Sequence, residues 1–269
     1  MNVQTILITG ATDGVGKLTA IDLATRYKTA NILIHGRNII KINKVIDEIK
    51  SKSNNQNIEG YVADFSSLDD VRNLAKKILS KHDAINILIN NAGAGFAAPR
   101  YGKDGTETRF TVNYLAPFLL TNLLLPAIKK ALPSRIVNVS SAGQSPIHFD
   151  DVMLEKNFDG VTAYSQSKLA LLMFTIDLAE QLKDENITVN ALHPGTYLDT
   201  NMVHDAGIKP LGTAQSGADA EVYLATSDEL KNVTGKYFNV KKESKAHAQA
   251  YDVNARKKLH ELSLKLTGL

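Results

Sequence analysis

Apolar residues along the 269-residue chain fall into two alternating patterns. Short runs rich in Ile, Leu and Val predict strands over Thr5–Thr9, Asn31–His35, Ile58–Ala63, Ile85–Asn90, Arg135–Ser140, Thr188–Leu192 and Lys236–Val240. Several are apolar on both faces, such as the Ile-Leu-Ile-Asn run that ends at Asn90, as parallel strands covered by helices on both sides must be. Longer stretches between them predict helices over 15–27, 39–51, 68–81, 106–131, 164–183, 215–226 and 246–265. Leu68, Val71, Leu74, Ala75, Ile78 and Leu79 repeat at the interval of a one-sided helix. Sustained strand–helix alternation predicts an α/β fold: a doubly wound parallel sheet of about seven strands with helices on both faces. No solenoid repeat, low-complexity linker or composition break divides the chain, so residues 1–269 are expected to form one domain.

Composition removes several functions. Lys and Arg number 31 against 28 Asp and Glu, and the net charge of +3 is spread rather than clustered. Nucleic-acid binding needs a concentrated basic patch, so none is expected. With no cysteine there is no disulfide, thiolate zinc site, iron–sulfur cluster or cysteine nucleophile. His148, His193 and His204 lack metal-ligand spacing with carboxylates, so no metal is assigned. Ile6–Ile8 runs straight into Thr9-Gly10, leaving no room for a signal peptide. The greasiest segment, Tyr114 to Ile128, is interrupted by Pro117, Thr121, Asn122 and Pro126, and reads as a buried helix. A soluble, cytoplasmic protein without stable membrane insertion is expected.

Chemistry enters at Thr9-Gly10-Ala11-Thr12-Asp13-Gly14-Val15-Gly16, between the first strand and the first helix. Glycines there let the backbone approach a pyrophosphate, and the helix N-terminus offers free N–H groups and a positive dipole. A glycine cluster alone is a tight turn; between a strand and a helix it points to a Rossmann-type dinucleotide site. In an NAD site an acidic residue lies about 20 positions further on and binds the ribose 2′-hydroxyl. Here that place holds Gly36, followed by Arg37, whose guanidinium can pair with a 2′-phosphate. NADP(H) is favoured and NAD(H) stays open, since a solvated or adenine-stacking Arg37 would read the same way.

Tyr164-Ser-Gln-Ser-Lys168 opens a helical pattern, and a spacing of four puts Tyr164 and Lys168 on one face. A phenol ordinarily titrates near pH 10, and a neighbouring ammonium favours its ionised form. The pair is therefore a sensible proton donor for carbonyl reduction. Tyr237-Phe-Asn-Val-Lys241 has the same spacing but falls on a predicted strand, where four steps span about 13 Å and preclude such coupling. Ser140-Ser141 and Asn90-Asn91-Ala92-Gly93 end two other strands, and ligands bind open α/β sheets at the carboxyl ends of strands. A serine hydroxyl there can hydrogen-bond a substrate carbonyl.

Taken in order, these four blocks resemble the short-chain dehydrogenase/reductase family in its single-domain branch, over nearly the whole chain. The resemblance implies that Tyr164 is the catalytic acid/base and that Lys168 lowers its pKa and binds the nicotinamide ribose. It implies that Ser141, rather than Ser140, binds the substrate carbonyl, and that Asn113 holds a proton-relay water; otherwise Asn113 is an ordinary buried polar side chain. Cofactor contacts are implied for Gly10, Thr12, Asp13, Gly14, Val15, Gly16, Arg37, Asp64, Asn91, Ala92, Gly93, Tyr164, Lys168, Pro194, Gly195 and Thr196. One departure is visible: the threonine usually five positions after the proline is Thr200, six after Pro194. Within the family, Val112 to Pro126, Val233 to Phe238 and Leu262 to Leu269 look most like retinol-dehydrogenase-type reductases. Those relatives often carry a membrane anchor ahead of the glycine turn, and none is read here.

Hydride transfer between NADP(H) and a lipophilic aldehyde, ketone or alcohol is the implied reaction. Phe96, Ile147, Phe149, Tyr197, Leu198, Met202 and Val203 are expected around the substrate, or else packed under a lid. The segment 195–217 is the expected lid. Dimers or tetramers through helices 106–131 and 164–183 are implied by the family alone. The alternative is a dinucleotide-binding redox sensor with little turnover, which needs the glycine turn but not Tyr164, Lys168 and Ser141 together.

Overall fold

The apolar runs assemble into one eight-stranded sheet in the order β3-β2-β1-β4-β5-β6-β7-β8. A computed structural model describes residues 4–269. The strands are β1 (Thr5–Ile8), β2 (Asn31–Gly36), β3 (Ile58–Val62), β4 (Ile87–Asn90), β5 (Ser134–Val139), β6 (Ile187–His193), β7 (Tyr237–Asn239) and β8 (Lys242–Ser244). All pair in parallel except β8, which runs antiparallel to β7. Sequence pattern foresees seven of the eight. The short β8 is exposed along its length, so its residues carry no apolar period, and main-chain pairing to β7 alone defines it.

Side chains alternate across the sheet as the two-residue strand period requires. Ile6, Ile8, Ile32, Ile34, Ile87 and Ile89 face α1 (Gly14–Arg26), α2 (Ile39–Ser53) and α8 (Ala214–Thr226). Leu7, Leu33, Leu88 and Ile136 face the opposite layer, made by α3 (Leu68–Leu79), α5 (Ala116–Lys130) and α6 (Gly160–Gln181). The chain leaves β1 toward β2 and β3, then returns to add β4 on the other side. A crevice opens at that reversal, beyond the carboxyl ends of β1 and β4.

Several helices depart from the expected bounds in ways that shape this crevice. The predicted helix 106–131 is α4 (Thr108–Phe110), a π turn (Thr111–Leu115) and α5 in continuous succession. The stretch Thr108–Lys130 has the length and apolarity to cross a membrane, yet most of it is buried in this fold. Helix α6 begins four residues before Tyr164, at Gly160, because the Asp159 carboxylate caps it by accepting the Thr162 N–H at 2.7 Å. The expected lid contains α7 (Asn201–Asp205). The last predicted helix starts late: a 3₁₀ turn (Ala248–Tyr251) precedes α9 (Val253–Thr267).

Helix α9 also bears on the pairing expected through the long helices. It lies against α6 and the π turn, burying Ala255, Arg256, Leu259 and Ser263. Arg256 reaches Asp177 at 2.5 Å and Glu180 at 3.1 Å, both on α6. His260 packs edge-on against Phe118, with ring centroids 6.0 Å apart. The C-terminal helix thus covers part of the surface of α6 and the π turn.

Candidate active site

The glycine turn is built from close approaches. Gly10 has φ +65°, and a Cβ there would come within 2.7 Å of Ala92 Cα at the end of β4. A Cβ on Gly16 would lie 2.2 Å from Asn91 Nδ2 and 2.6 Å from the Gly10 carbonyl oxygen. Asn91 Nδ2 donates to the carbonyls of Thr9 (2.8 Å) and Gly10 (3.0 Å), while the N–H groups of Asn91 and Ala92 both donate to Thr9 Oγ1 at 3.0 Å. Asn91 therefore braces the turn from β4, and its amide group is committed to that task. Asp13 caps α1 by accepting the Gly14 N–H at 2.8 Å. Val15 is buried against Leu198 and Ala218.

At the end of β2, Gly36 packs closely against the glycine turn: a Cβ there would sit 2.3 Å from Thr12 Cγ2, so a larger residue would require the Thr12 side chain to move. Arg37 follows, exposed, and acts electrostatically on both His35 and Asp64. Burial would raise the Asp64 pKa, but hydrogen bonds from Ser66 N (3.0 Å) and Oγ (2.8 Å), with Lys103 and Arg37 nearby, bring it below the ordinary value.

Ser141 and Tyr164 meet beside Gly143, and Lys168 reaches from the same helix as Tyr164 toward Gly93. A Cβ built on Gly143 would touch Ser141 Oγ at 3.6 Å and Tyr164 Cε1 at 3.9 Å, so hydroxyl and phenol flank one glycine. Lys168 Nζ lies 5.7 Å from the Tyr164 ring centroid and donates to the Val139 carbonyl at 2.8 Å. A Cβ on Gly93 would meet Asn113 Oδ1 at 3.4 Å, and Lys168 Nζ and Met202 Cε each at 3.6 Å. Burial raises the Tyr164 pKa, and the Ser141 side chain works against that rise. Burial lowers the Lys168 ammonium to about 8, with the Glu221 carboxyl pulling the other way. Ser140, the alternative serine, turns its hydroxyl to the Lys168 carbonyl at 2.9 Å, away from this group.

Asn113 is fully buried in the π turn. It accepts from the Ala94 N–H at 2.7 Å and donates to the Ala94 carbonyl at 3.0 Å and Ser167 Oγ at 2.9 Å. Its side chain thereby ties the loop after β4 to the helix carrying Tyr164 and Lys168, a use of a π turn common at functional sites.

The remaining expected residues divide. Phe96 packs edge-on to Tyr164 with centroids 6.2 Å apart, and Met202 lies across Gly93 and Gly95. Tyr197, with φ +47°, is close enough to act on the Tyr164 titration. Leu198 and Ile147 are core rather than pocket: Leu198 packs under Val15, and Ile147 joins the α5–α6 side. Phe149 packs at the edge of the same core beneath Lys258 Nζ, 4.9 Å from its ring centroid. Val203 is half-buried on α7.

Thr200 is the N-cap residue of α7 but makes no side-chain cap: its hydroxyl donates to the Leu198 carbonyl at 3.2 Å and its methyl faces Gly14. Asn201 bonds the Asp13 carboxylate, so the lid rests on the glycine turn. In the Pro194-Gly195-Thr196 segment, Thr196 Oγ1 meets His193 Nε2 at 3.0 Å.

Three further groups shape the site and escaped the sequence pattern. His35 accepts the Gly10 N–H at Nδ1 (3.2 Å), meets the Ala63 carbonyl through Nε2 (3.0 Å) and stacks on Phe65 at 4.1 Å. Burial pushes its pKa down to about 4, so it is neutral and holds the turn. Arg109, paired with buried Glu107 at 2.8 Å, donates to the carbonyls of Phe96 (2.8 Å), Ala98 and Pro99 (3.2 Å), strapping down the loop that bears Phe96. Glu221 is buried beside Thr19 Oγ1 (2.9 Å), and burial pushes it up to about 8. Each depends on partners distant in sequence; only the histidine within an apolar strand could have drawn attention.

Comparison with known proteins places this arrangement. The family model described as short chain dehydrogenase matches residues 4–210. Retinol dehydrogenase 13 of Mus musculus is 36% identical over 99% of this chain and 84% of its own length. Retinol dehydrogenase 11 of Homo sapiens is 34% identical over 99% and 86%, respectively. Among solved structures, an uncharacterised protein from Mycobacterium paratuberculosis superposes with TM-score 0.80 at 29% identity, covering 98% of this chain and 93% of that one. A short chain dehydrogenase from Shigella flexneri, complexed with NADP, superposes with TM-score 0.70 at 26% identity, covering 89% and 98%.

Proposed function

As the chain belongs to the short-chain dehydrogenase family of oxidoreductases, and most resembles retinol dehydrogenases within it, we propose that it transfers hydride between NADP(H) and a lipophilic carbonyl or alcohol. The observation that carries this reading is the convergence of Ser141 and Tyr164 beside Gly143 with Lys168, which lies against the Tyr164 ring and beside Gly93. Gly10, Gly14 and Gly16 let the turn pack tightly against Ala92, Asn91 and Thr200, and the α1 N-terminus opens directly after it, so the residues present fit a dinucleotide. Bound there, the nicotinamide would supply or accept the hydride.

The chain's own residues supply the rest. Tyr164 Oη gives a proton to the carbonyl oxygen in reduction and takes it back in oxidation. Ser141 Oγ donates to the same oxygen and stabilises its developing charge. Lys168, an ammonium in a buried place, favours the phenolate through its charge and offers donors to the nicotinamide ribose. Asn113 braces the helix against the loop that holds Gly93. Arg37 and the lack of a carboxylate at Gly36 support NADP over NAD, and the NADP complex of the Shigella relative is in keeping with that choice. Phe96, Met202 and Tyr197 form an apolar approach to Tyr164, and together with the retinol dehydrogenase likeness they support a lipophilic substrate. A purely sensing protein would have no need of the serine–tyrosine–lysine cluster.

A panel of aliphatic, aromatic and isoprenoid aldehydes and ketones, assayed with NADPH and NADH, tests the reading. Turnover with NADPH preferred is expected, and Tyr164→Phe should lose about 10²-fold or more while still binding NADPH. Retained turnover in that variant would remove Tyr164 from the reaction.

A further inference from the structure

Tyr237 shares the Tyr-x-x-x-Lys spacing with Lys241, but strand geometry sends the two apart: Lys241 Nζ lies 5.9 Å from the Tyr223 ring centroid. The Tyr237 phenol instead points at the candidate site. It donates to the Ser141 carbonyl oxygen at 3.1 Å across a sequence separation of 96 residues. The same oxygen accepts from Gln144 Nε2 at 2.8 Å, and Gln144 Oε1 accepts the His247 N–H at 2.8 Å. Both acceptor positions of that carbonyl are therefore filled, one from β7 and one from Gln144 in the loop after β5, which the His247 N–H holds in turn. On the side chain of the same residue, Ser141 Oγ accepts the Gly143 N–H at 3.0 Å. That bond leaves the hydroxyl proton free to turn toward Tyr164.

We infer that Tyr237, with Gln144, is a positioning residue of the reaction: it fixes the Ser141 peptide so that the Ser141 hydroxyl meets the substrate oxygen and the Tyr164 phenol. The inference rests on the oxidoreductase reading above and deepens it. Ser141 lies just beyond the end of β5, at the start of a long loop, where the peptide plane is otherwise free to tilt. A displacement of about 1 Å at a reacting group costs on the order of 10²-fold in rate, so an anchor at this carbonyl matters. The titratable groups facing the Tyr164 phenol are Lys168 on its own helix, Tyr197 from the lid segment and Tyr237 beyond Ser141. Of these, Tyr237 alone is bonded to the Ser141 main chain.

The test compares Tyr237→Phe, which removes one hydroxyl, with Glu243→Ala on the exposed β8 as a control for loosening the sheet edge. Ring-labelled [13Cζ]tyrosine NMR in the presence of NADP+, with Tyr164 assigned through Tyr164→Phe, reads the phenol's titration directly. Tyr237→Phe should raise the Tyr164 titration by about half a unit or more, because the Ser141 hydroxyl no longer steadies the phenolate. It should also lower kcat about fivefold, the factor for one buried hydrogen bond, with KM for NADPH unchanged. Glu243→Ala should change neither. In a Ser141→Ala background, Tyr237→Phe should shift nothing further, since the group it positions is gone. An unchanged Tyr164 titration in Tyr237→Phe, or a shift that persists without Ser141, overturns the inference. Wild-type protein that reduces no carbonyl would sink the oxidoreductase reading alone, because the titration needs no substrate.

Discussion

His35 offers a quantitative check on how the glycine turn is held. Its imidazole is 2% exposed, its Nδ1 accepts the Gly10 N–H, and its pKa is pushed down to about 4 from an ordinary 6.5. The unfolded chain therefore binds a proton that the folded protein refuses between these values. This contribution to stability is complete above pH 6.5 and is lost as pH falls toward 4. At pH 5 the loss from this one group is about 2 kcal/mol, relative to neutral pH, by proton linkage. His35→Gln keeps an acceptor for Gly10 and a donor for Ala63 but cannot titrate. Urea unfolding at pH 7 and pH 5 should show wild type losing about 2 kcal/mol more than His35→Gln between the two. Buried Glu221 pulls in the opposite sense over part of this range, but both proteins contain it, so it cancels in the comparison. Protonating His35 in the folded protein removes the acceptor that holds Gly10, so NADPH affinity should weaken only as pH falls to about 4, and in wild type only. Equal pH sensitivity in the two proteins would refute the assignment of His35 as a neutral anchor.

Other consequences can be measured with the same tools. Arg109→Met leaves Glu107 buried without its partner and should cost about 3–5 kcal/mol in urea unfolding, with partial recovery when Glu107→Gln is added. Glu221→Gln removes a carboxyl that folding forces to stay protonated, so its stabilising effect should grow between pH 5 and pH 8 in thermal unfolding. If α9, which packs on α6 and the π turn, covers the faces through which the long helices would pair, light scattering should give a mass near the 29.3 kDa of one chain; about twice that mass would mean that those faces stay free to pair.

The layered fold was legible because its strands are apolar on both faces and its helices carry one-sided stripes. Ile6 and Ile8 against Leu7 is the two-sided strand in miniature, and each side found a helical layer. Legibility failed where main-chain pairing or capping decides the outcome. Strand β8 has only exposed side chains, and the start of α6 is set by the Asp159 cap and by a glycine squeezed against the Phe96 carbonyl. For Leu198 and Ile147 sequence leaves pocket lining and core packing open, and the structure packs both in the core. A loop residue near a site and a residue packed beneath it have the same apolar signature, and only the neighbours separate them.

The two tyrosines show why a candidate site can be read from sequence while its support cannot. Tyr164 and Lys168 lie one helical turn apart, so their association is local and is encoded in a spacing of four. Tyr237 reaches Ser141 because β7 pairs with β6, which itself lies beside β5, whose far end carries the serine. That chain of pairings is a property of the sheet, and no window of residues around position 237 contains it. His35 beneath Gly10 and Arg109 behind Phe96 follow the same rule, each joined to the site through backbone atoms of residues far from it in sequence. Groups that do the chemistry are constrained in type and spacing, and so leave a motif. Groups that hold those in place need only a donor or acceptor at the right point in space, which many folds and many residues can provide.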